Sequence, residues 1–372
     1  FDVSGEFSQA PPMIAAGEPN AAPLAALSAI GSGCRDASTP VFAAIDLGTN
    51  NCRLLIATCL NGVFQVVEAF SRIVRLGEGL SQTGVLSPAA QDRAIEALSV
   101  CRQRISANGV THSRLIATEA CRAAANGPAF LSRVENECGL KLEIIDRETE
   151  ARLAVMSCEP LFDRTCRSAL LFDIGGGSTE LAFVEALPTG KTSIAAWTSL
   201  SIGVVSLAER FGGRMVSEES FAAMVEHVAR LIDDFPDREI VAKAARSGAF
   251  HLLGTSGTVT TIAGVHLGLR RYDRRKVDGL WMNQGDVSEI VERLLSTDFT
   301  DRSRNPCIGI DRADLVLAGC AILEAIRDAF PADRLRIADR GLREGILVEL
   351  MRQHGGHAMQ VEAPPAWIGS PE

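Results

Sequence analysis

Two short stretches decide the fold: Val41-Phe-Ala-Ala-Ile-Asp-Leu-Gly48 and, further along the chain, Leu170-Leu-Phe-Asp-Ile-Gly175. Each is an apolar run typical of a buried strand, followed by Asp-x-Gly. Aligning the two stretches places Asp46 on Asp173 and Gly48 on Gly175. Because two more strand patterns follow in both places, we infer an internal duplication. Two similar lobes would point both Asp-x-Gly turns into the groove between them.

Strand and helix patterns alternate through both halves, which indicates an α/β protein. The strands predicted in the two opening meanders are 41–45, 53–59 and 63–70, with an Asn61-Gly62 hairpin turn, then 168–172, 180–185 and 193–197. The other predicted elements are helices at 88–109, 119–125, 128–138, from 147, 218–232, 313–330 and 342–351, and strands at 115–118, 140–145, 251–254 and 335–338.

The composition predicts two globular lobes between two tails. The chain has 372 residues, which exceeds what one hydrophobic core usually serves. We predict a first lobe at 40–160 that also receives the C-terminal helix 340–353, and a second lobe at 161–339. Residues 1–39, rich in Ala, Pro, Gly and Ser, are predicted to be a disordered leader, and 354–372 a flexible tail.

Charge and cysteine content exclude several classes of protein. No apolar run reaches the roughly 18 to 20 residues that a membrane helix needs. The net charge of -9 disfavours binding to nucleic acid or to an anionic membrane. The ten cysteines form no C-x-x-C pair and no zinc-like spacing, which argues against disulfides and favours a reducing cytoplasm. We therefore predict a cytoplasmic protein without nucleic-acid or membrane partners.

The two glycine-containing loops predict a phosphate site. Glycines between strands expose consecutive backbone N–H groups and let phosphate oxygens approach them. Arginine can clamp phosphate with two hydrogen bonds, and the carboxyl end of a predicted strand is a usual place for ligand contacts. The phosphate ligands predicted on these grounds are Gly48, Thr49, Asn50, Arg53, Thr118, Arg122, Gly175, Gly176, Gly177, Ser178 and Thr179.

The paired aspartates predict a metal ion. Asp46 and Asp173 would both bring negative charge into a site for polyanions, which is costly unless a cation lies between them and the phosphates. Glu180, on the strand that leaves the second loop, can join Asp173. We predict Mg²⁺ at these three carboxylates, with Mn²⁺ as the alternative.

Six motifs in order resemble the exopolyphosphatase and guanosine pentaphosphatase (Ppx/GppA) family over 41–350. The motifs are Asp46-Leu-Gly-Thr-Asn50, Ala117-Thr-Glu-Ala-Cys-Arg122, Glu150-Ala-Arg-Leu153, Asp173-Ile-Gly-Gly-Gly-Ser-Thr-Glu180, Gly254-Thr-Ser-Gly-Thr258 and Arg340-Gly-Leu-Arg-Glu-Gly345. The resemblance implies an actin-like, ribonuclease-H-like fold of two lobes, the fold that also serves sugar kinases and heat-shock ATPases. The chain resembles the short form of this family, which is without C-terminal helical domains.

The resemblance also implies roles for individual residues. On its own sequence context, Glu150 is a glutamate suited to the start of a helix. The resemblance implies that it is the general base that activates water, that Asp173 and Glu180 hold magnesium, and that the two loops hold phosphate. It further implies contacts to more phosphates, or to a base, from Gly254, Thr255, Ser256 and Gly257.

The implied function is an exopolyphosphatase that removes the terminal phosphate of inorganic polyphosphate. Three alternatives remain open at this point: a guanosine pentaphosphate (pppGpp) phosphohydrolase, a sugar-kinase-like or ATPase relative, and a non-catalytic sensor of alarmone or polyphosphate. We also expect a homodimer. The basic run from Arg270 to Lys276 is interpreted as a solvated loop, with a track for polyphosphate as the alternative.

Overall fold

A computed structural model of the protein describes residues 39–60 and 63–354. The predicted leader before Thr39, the predicted Asn61-Gly62 turn and the predicted tail after His354 lie outside this range. The strands are β1 Val41–Leu47, β2 Asn51–Leu60, β3 Val63–Ile73, β4 His112–Ala117, β5 Glu143–Ile144, β6 Ser168–Ile174, β7 Thr179–Ala186, β8 Thr192–Leu200, β9 Phe250–Thr255, β10 Trp281–Asn283 and β11 Arg334–Ala338.

The helices lie between and after these strands. They are α1 Leu80–Thr83, α2 Pro88–Ala107, α3 Glu119–Ala123, α4 Gly127–Cys138, α5 Arg147–Cys158, α6 Val204–Phe211, α7 Glu218–Asp233, α8 Arg238–Ala245, α9 Gly257–His266, α10 Arg274–Val277, α11 Gln284–Ser296, α12 Phe299–Arg304, α13 Val316–Ala329 and α14 Leu342–His354. None of the helices in the described part of the chain is long and apolar enough to cross a bilayer.

The two sheets repeat one topology. The first has the order β3-β2-β1-β4-β5, and the second, read from its far edge, has β8-β7-β6-β9-β11 with β10 added. In both, the first strand of the lobe pairs antiparallel with the second and parallel with the fourth. β1 and β6 each have five buried residues, then a half-buried aspartate, then a buried residue. The predicted duplication and the two-lobed α/β fold are confirmed.

One predicted strand is much shorter in the structure. The pattern at 140–145 indicated a strand, but only Glu143 and Ile144 pair with β4. Leu140 and Leu142 are buried in the core beside the first sheet. Their apolar character therefore reflects packing in an irregular segment, which hydropathy alone does not distinguish from a strand.

The C-terminal helix α14 packs on the first sheet. One face of that sheet buries Phe42 and Leu55 against Ile346 and Leu347 of α14, together with Leu153 of α5. The two helices approach closely at Gly345, where a Cβ atom would lie 2.2 Å from the carbonyl oxygen of Leu153. Because Leu153 is one helical turn from Glu150, this contact fixes the position of the candidate base.

Gly345→Ala is expected to separate α5 from α14. The added methyl group would overlap backbone, so we expect a loss of about 1–3 kcal/mol in the free energy of unfolding, together with lower activity. Denaturant unfolding measures this loss. Gly341→Ala in the same motif is the matched control for stability, since the nearest atom to its Cβ is 4.0 Å away. Equal stability of the two variants would contradict the packing argument.

Candidate active site

A cavity of about 580 Å³ lies where the two duplicated loops meet. β1 and β6 both end at it, so their terminal aspartates Asp46 and Asp173 line it from opposite sheets. Glu150 of α5 and Glu180 of β7 line it as well. The duplicated strands therefore bring predicted metal ligands and the predicted base to one cavity.

Each glycine-containing loop is held by the chain that leaves the third strand of its lobe. In the first lobe, Gly77 N–H donates to the Thr49 carbonyl at 2.9 Å, and Val74 N–H to the Asn50 carbonyl at 2.9 Å. In the second, Val204 N–H donates to the Gly175 carbonyl at 3.0 Å. These hydrogen bonds to carbonyl groups of the loops fix the geometry of each loop.

Several loop amides keep their hydrogen-bonding capacity. Within 39–60 and 63–354, the N–H groups of Thr49, Asn50, Gly176 and Gly177 donate to no protein acceptor. Among the same residues, the Asn50 Oδ1 atom, which is a hydrogen-bond acceptor, is buried without a partner. Unpaired backbone donors at a cavity are suited to an anion, because buried donors without a partner are costly.

The two loops touch each other. A Cβ atom on Gly176 would lie 2.9 Å from Cβ of Thr49, and one on Gly177 would lie 2.7 Å from the Thr49 hydroxyl oxygen. Only a residue without a side chain allows this approach. The glycines in the second loop are therefore required by contact with the first loop, as well as by access to a ligand.

The carboxylates of the cavity resist ionisation. Burial, together with the charge of Asp46, raises the pKa of Asp173 to about 6, although Arg53 opposes this. Burial and the charge of Asp173 raise the pKa of Glu180 to about 7. Burial likewise raises the pKa of Asp46, and Arg53 and Arg343 oppose this increase. The positive charge near these three carboxylates does not offset the effects of burial and mutual repulsion, so the site favours binding of a cation.

Glu150 is the carboxylate with the clearest base-like environment. Burial raises its pKa well above the ordinary value, and the charge of Glu180 adds to this, whereas Arg122 opposes it. Arg122 donates to Glu150 Oε2 from both Nη1 and Nη2 at 3.2 Å. A carboxylate with a raised pKa is a stronger base than an exposed one and can accept a proton from water nearer neutral pH.

Comparison with known proteins identifies the family. The model of the Ppx/GppA phosphatase family matches residues 55–354. This chain belongs to the Ppx/GppA phosphatase family. The match confirms the resemblance stated from the sequence motifs, and it leaves the first loop, at Asp46–Asn50, just outside the matched segment.

Two curated relatives of this Ppx/GppA chain carry different names. A Photobacterium profundum protein named guanosine-5'-triphosphate,3'-diphosphate pyrophosphatase is 29% identical over 324 residues, which cover 87% of this chain and 62% of the relative. A Haemophilus influenzae protein, provisionally named an exopolyphosphatase, is 29% identical over 313 residues, which cover 83% of this chain and 91% of the relative. This chain thus spans less than two thirds of the first relative.

A solved structure agrees with the fold. The crystal structure of the Aquifex aeolicus Ppx/GppA family member superposes with a TM-score of 0.68 at 29% identity, covering 85% of this chain and 99% of that one. This chain therefore shares its arrangement of two duplicated lobes with a solved member of the Ppx/GppA family.

Most of the site residues predicted from the sequence line the cavity of this Ppx/GppA protein. They are Asp46, Gly48, Thr49, Asn50, Arg53, Thr118, Glu150, Asp173, Gly175, Gly176, Gly177, Ser178, Glu180, Thr255, Ser256 and Gly257. Their roles as metal ligands, phosphate ligands and base stay predictions, whereas their proximity is a finding.

Three predicted phosphate ligands lie elsewhere. Thr179 is fully buried, and its hydroxyl donates to the Ile202 carbonyl at 2.7 Å. Gly254 lies inside β9, where a Cβ atom would meet the Phe172 ring at 2.6 Å. Arg122 is held by protein acceptors behind Glu150. Thr179 and Gly254 are packed within strands. The motifs that contain them did not distinguish these strand residues from the neighbouring loop residues.

The sequence reasoning missed a set of arginines in the wall of the cavity. Arg312, Arg340 and Arg343 all line it. Arg340 forms an ion pair with Asp278 at 2.9 Å. Burial lowers the pKa of Arg343; the charge of Glu344 opposes this decrease, and the charge of Arg53 adds to it. Arg340 and Arg343 belong to a motif quoted above, whereas Arg312 lies in a loop without any motif signal.

The basic run after α9 is only partly turned inward. Arg274 pairs with Glu344 at 3.0 Å, beside the cavity. Arg270, Arg271, Arg275 and Lys276 are exposed. Their exposure agrees with the interpretation as a solvated segment, although 274–276 lies in α10 and is not a loop.

The donor set suits a magnesium ion shared with substrate. Among the described residues, no three His, Cys, Asp or Glu side chains form a preformed metal cluster. Mg²⁺ usually binds through one or two carboxylates, with water and substrate phosphates completing its shell. The mutually repelling carboxylates of Asp46, Asp173 and Glu180 fit such a site, and their raised pKa values are what a cation would reverse.

The raised pKa values predict that metal-free protein loses stability as pH rises. Asp173 goes from 3.8 to about 6 on folding and Glu180 from 4.5 to about 7. The folded state therefore binds these two protons more tightly than the unfolded state does. Their contribution to the free energy of unfolding is fully present below about pH 4 and is lost by about pH 7, and the loss is roughly 3 kcal/mol for each group. Unfolding in a chelator from pH 4.5 to 8 measures this loss.

Glu180→Gln should flatten that pH dependence, since the amide does not titrate. Glu185→Gln, an exposed residue on the same strand, is the matched control. Addition of Mg²⁺ at pH 8 should stabilise the unsubstituted protein. An unchanged slope in Glu180→Gln would contradict the assignment of the pH dependence to this cavity.

Proposed function

We propose that this Ppx/GppA family member hydrolyses the terminal phosphoanhydride bond of inorganic polyphosphate, with Glu150 as the general base. The observation that carries this proposal is the position of a buried carboxylate with raised pKa beside two loops of unpaired amides in one cavity. Hydrolysis needs an activated water next to the terminal phosphorus, and the loops supply donors for the phosphate oxygens.

In this proposal the two glycine-containing loops bind the phosphates, and Glu150 removes a proton from the attacking water. The amides of Thr49, Asn50, Gly176 and Gly177 bind oxygens of the terminal phosphates. Glu150 accepts a proton from the attacking water as its oxygen bonds to the terminal phosphorus. The bond from that phosphorus to the bridging oxygen breaks in line with the attack, and the shortened chain leaves with the bridging oxygen. When bound at Asp46, Asp173 and Glu180, Mg²⁺ supplies neutralisation of the charge that develops on the phosphate oxygens. Such positioning and charge neutralisation are the main contributions needed for phosphoryl transfer.

The arginine-lined wall favours polyphosphate as the substrate. Arg53, Arg312 and Arg343 form no ion pair among the described residues. Guanidinium groups without a carboxylate partner along a cavity suit a substrate that carries negative charge over its whole length. We therefore place the inner phosphates of the chain against this wall.

Guanosine pentaphosphate is the second candidate, supported by a different part of the wall. Tyr272, Cys307 and Ile308 also line the cavity, and they offer a partly apolar surface for a nucleoside. The name of the Photobacterium relative is consistent with such a substrate. The chemistry at the terminal phosphate would be the same for both.

We also propose that the protein acts in the cytoplasm, since the nine cysteines within the described residues are all free thiols. The homodimer stays a prediction, and the mass of the protein in solution tests it.

A substrate panel tests the proposal. Purified protein with Mg²⁺ should release inorganic phosphate from polyphosphate at a higher kcat/KM than from pppGpp. Phosphate release from pppGpp alone would favour the second candidate. Transfer of phosphate from ATP to an alcohol, or binding without turnover, would replace the hydrolase by the kinase-like or sensor alternatives.

A further inference from the structure

The guanidinium group of Arg122 is fully occupied by protein acceptors. Its Nε and Nη2 atoms donate to Glu119 Oε2 at 3.0 and 2.5 Å. Nη1 donates to the Ile145 carbonyl at 2.7 Å, and both Nη atoms donate to Glu150 Oε2 at 3.2 Å. Arginine carries five N–H donors, so none remains for a phosphate oxygen.

Glu119 is the residue that fixes Arg122 in this orientation. It also accepts from Arg147 Nη2 at 3.0 Å, at the start of the helix that carries Glu150. The Glu119 side chain is only 12% exposed. Its Cγ atom would lie 3.1 Å from a Cβ atom on Gly177, so it also packs against the second loop. Glu119 therefore connects Arg122, α5 and the phosphate loop.

The hydrogen bonds leave the two oxygens of Glu150 in different states. Oε2 accepts both bonds from Arg122, whereas Oε1 accepts no hydrogen bond from the described part of the protein. A base needs one free oxygen, held in a fixed direction, to accept the proton of a water. Holding Oε2 fixes the carboxylate plane and keeps Oε1 available.

We propose that Arg122 is a positioning residue for Glu150, locked by Glu119, and that it does not bind the substrate phosphate. This proposal rests on the function proposed above for Glu150. It replaces the prediction, made from the sequence, that Arg122 is a phosphate ligand. It also adds Glu119, to which that prediction gave no role.

The test separates turnover from binding. Arg122→Lys cannot hold Glu119 and Glu150 together, because lysine offers a point charge in place of a planar fork. We expect kcat for polyphosphate to fall at least tenfold, with KM changed less than about twofold, since a misplacement of about 1 Å in the reacting groups can reduce the rate about 100-fold. Glu119→Gln should lower kcat in the same direction. Glu148→Gln, exposed on the first turn of α5, is the matched control.

Binding of tripolyphosphate gives the second readout. In the Glu150→Gln background, adding Arg122→Lys should leave the Kd for tripolyphosphate, measured by calorimetry with Mg²⁺, within about twofold. A rise of tenfold or more in KM and Kd, with kcat retained, would overturn the proposal and restore Arg122 as a phosphate ligand. If Arg122→Lys does not fold, unchanged kcat in Glu119→Gln would overturn it instead.

Failure of the proposed function gives a different result. If Glu150→Gln retains turnover, Glu150 is not the base, whatever Arg122 does. If Glu150→Gln is inactive while Arg122→Lys raises KM and Kd, the base assignment stands and the positioning role fails.

Discussion

Glu150→Gln is expected to reduce kcat for polyphosphate hydrolysis by roughly 10²- to 10⁴-fold, the usual contribution of a general base. The amide keeps the shape of the side chain and cannot accept the proton. The affinity for tripolyphosphate should stay equal or increase, because one negative charge leaves a cavity that already contains Asp46, Asp173 and Glu180. Steady-state phosphate release and calorimetry measure the two quantities.

Glu148→Gln is the control for this substitution. Glu148 lies in the same first turn of α5 and is exposed, so its loss changes the helix charge without changing the cavity. We expect its kcat to stay within about twofold of the unsubstituted protein. Turnover by Glu150→Gln close to that of Glu148→Gln would show that another group activates the water.

Gly203→Ala is expected to reduce kcat/KM about 100-fold without contacting the substrate. Gly203 has φ of -140° and ψ of -178°, which alanine also adopts, so the backbone conformation is not the obstacle. The added methyl group would lie 2.4 Å from the carbonyl carbon of Gly176 and 2.5 Å from the nitrogen of Gly177. The second loop must therefore shift, and its amides lose their alignment with the phosphates.

Kinetics and unfolding together test this second result. Because we propose that these amides bind the phosphates both before and during the reaction, we expect KM to rise together with the loss in kcat. The loss in stability should be about 1–3 kcal/mol, which leaves the protein folded. Normal kcat/KM in Gly203→Ala would mean that the second loop does not bind the reacting phosphates.

The fold could be predicted from the sequence because the duplication is local and regular. The apolar runs that end in Asp46 and Asp173 share one burial pattern, and the same kind of glycine-containing turn follows each of them. By contrast, the segment around Leu140 is apolar because it fills the core, and only the tertiary structure separates that case from a strand.

The site was predictable where glycine and acidic residues follow a strand, and less so elsewhere. Gly203 follows β8 and showed no motif, yet it supports Gly176. Arg312 reaches the cavity from a loop far along the chain. Arg122 was found by its motif, but whether an arginine faces a phosphate or a carboxylate depends on its neighbours in space, here Glu119 and Glu150.

Hydrolysis of polyphosphate in ¹⁸O-labelled water, with Mg²⁺ present, tests the central claim most directly. Attack of water on the terminal phosphorus transfers the labelled oxygen to the released group. Mass spectrometry should therefore find one ¹⁸O atom in each inorganic phosphate released, and Glu150→Gln should release almost none. Absence of phosphate release by the unsubstituted protein, or label in the shortened chain with unlabelled phosphate, would contradict the account.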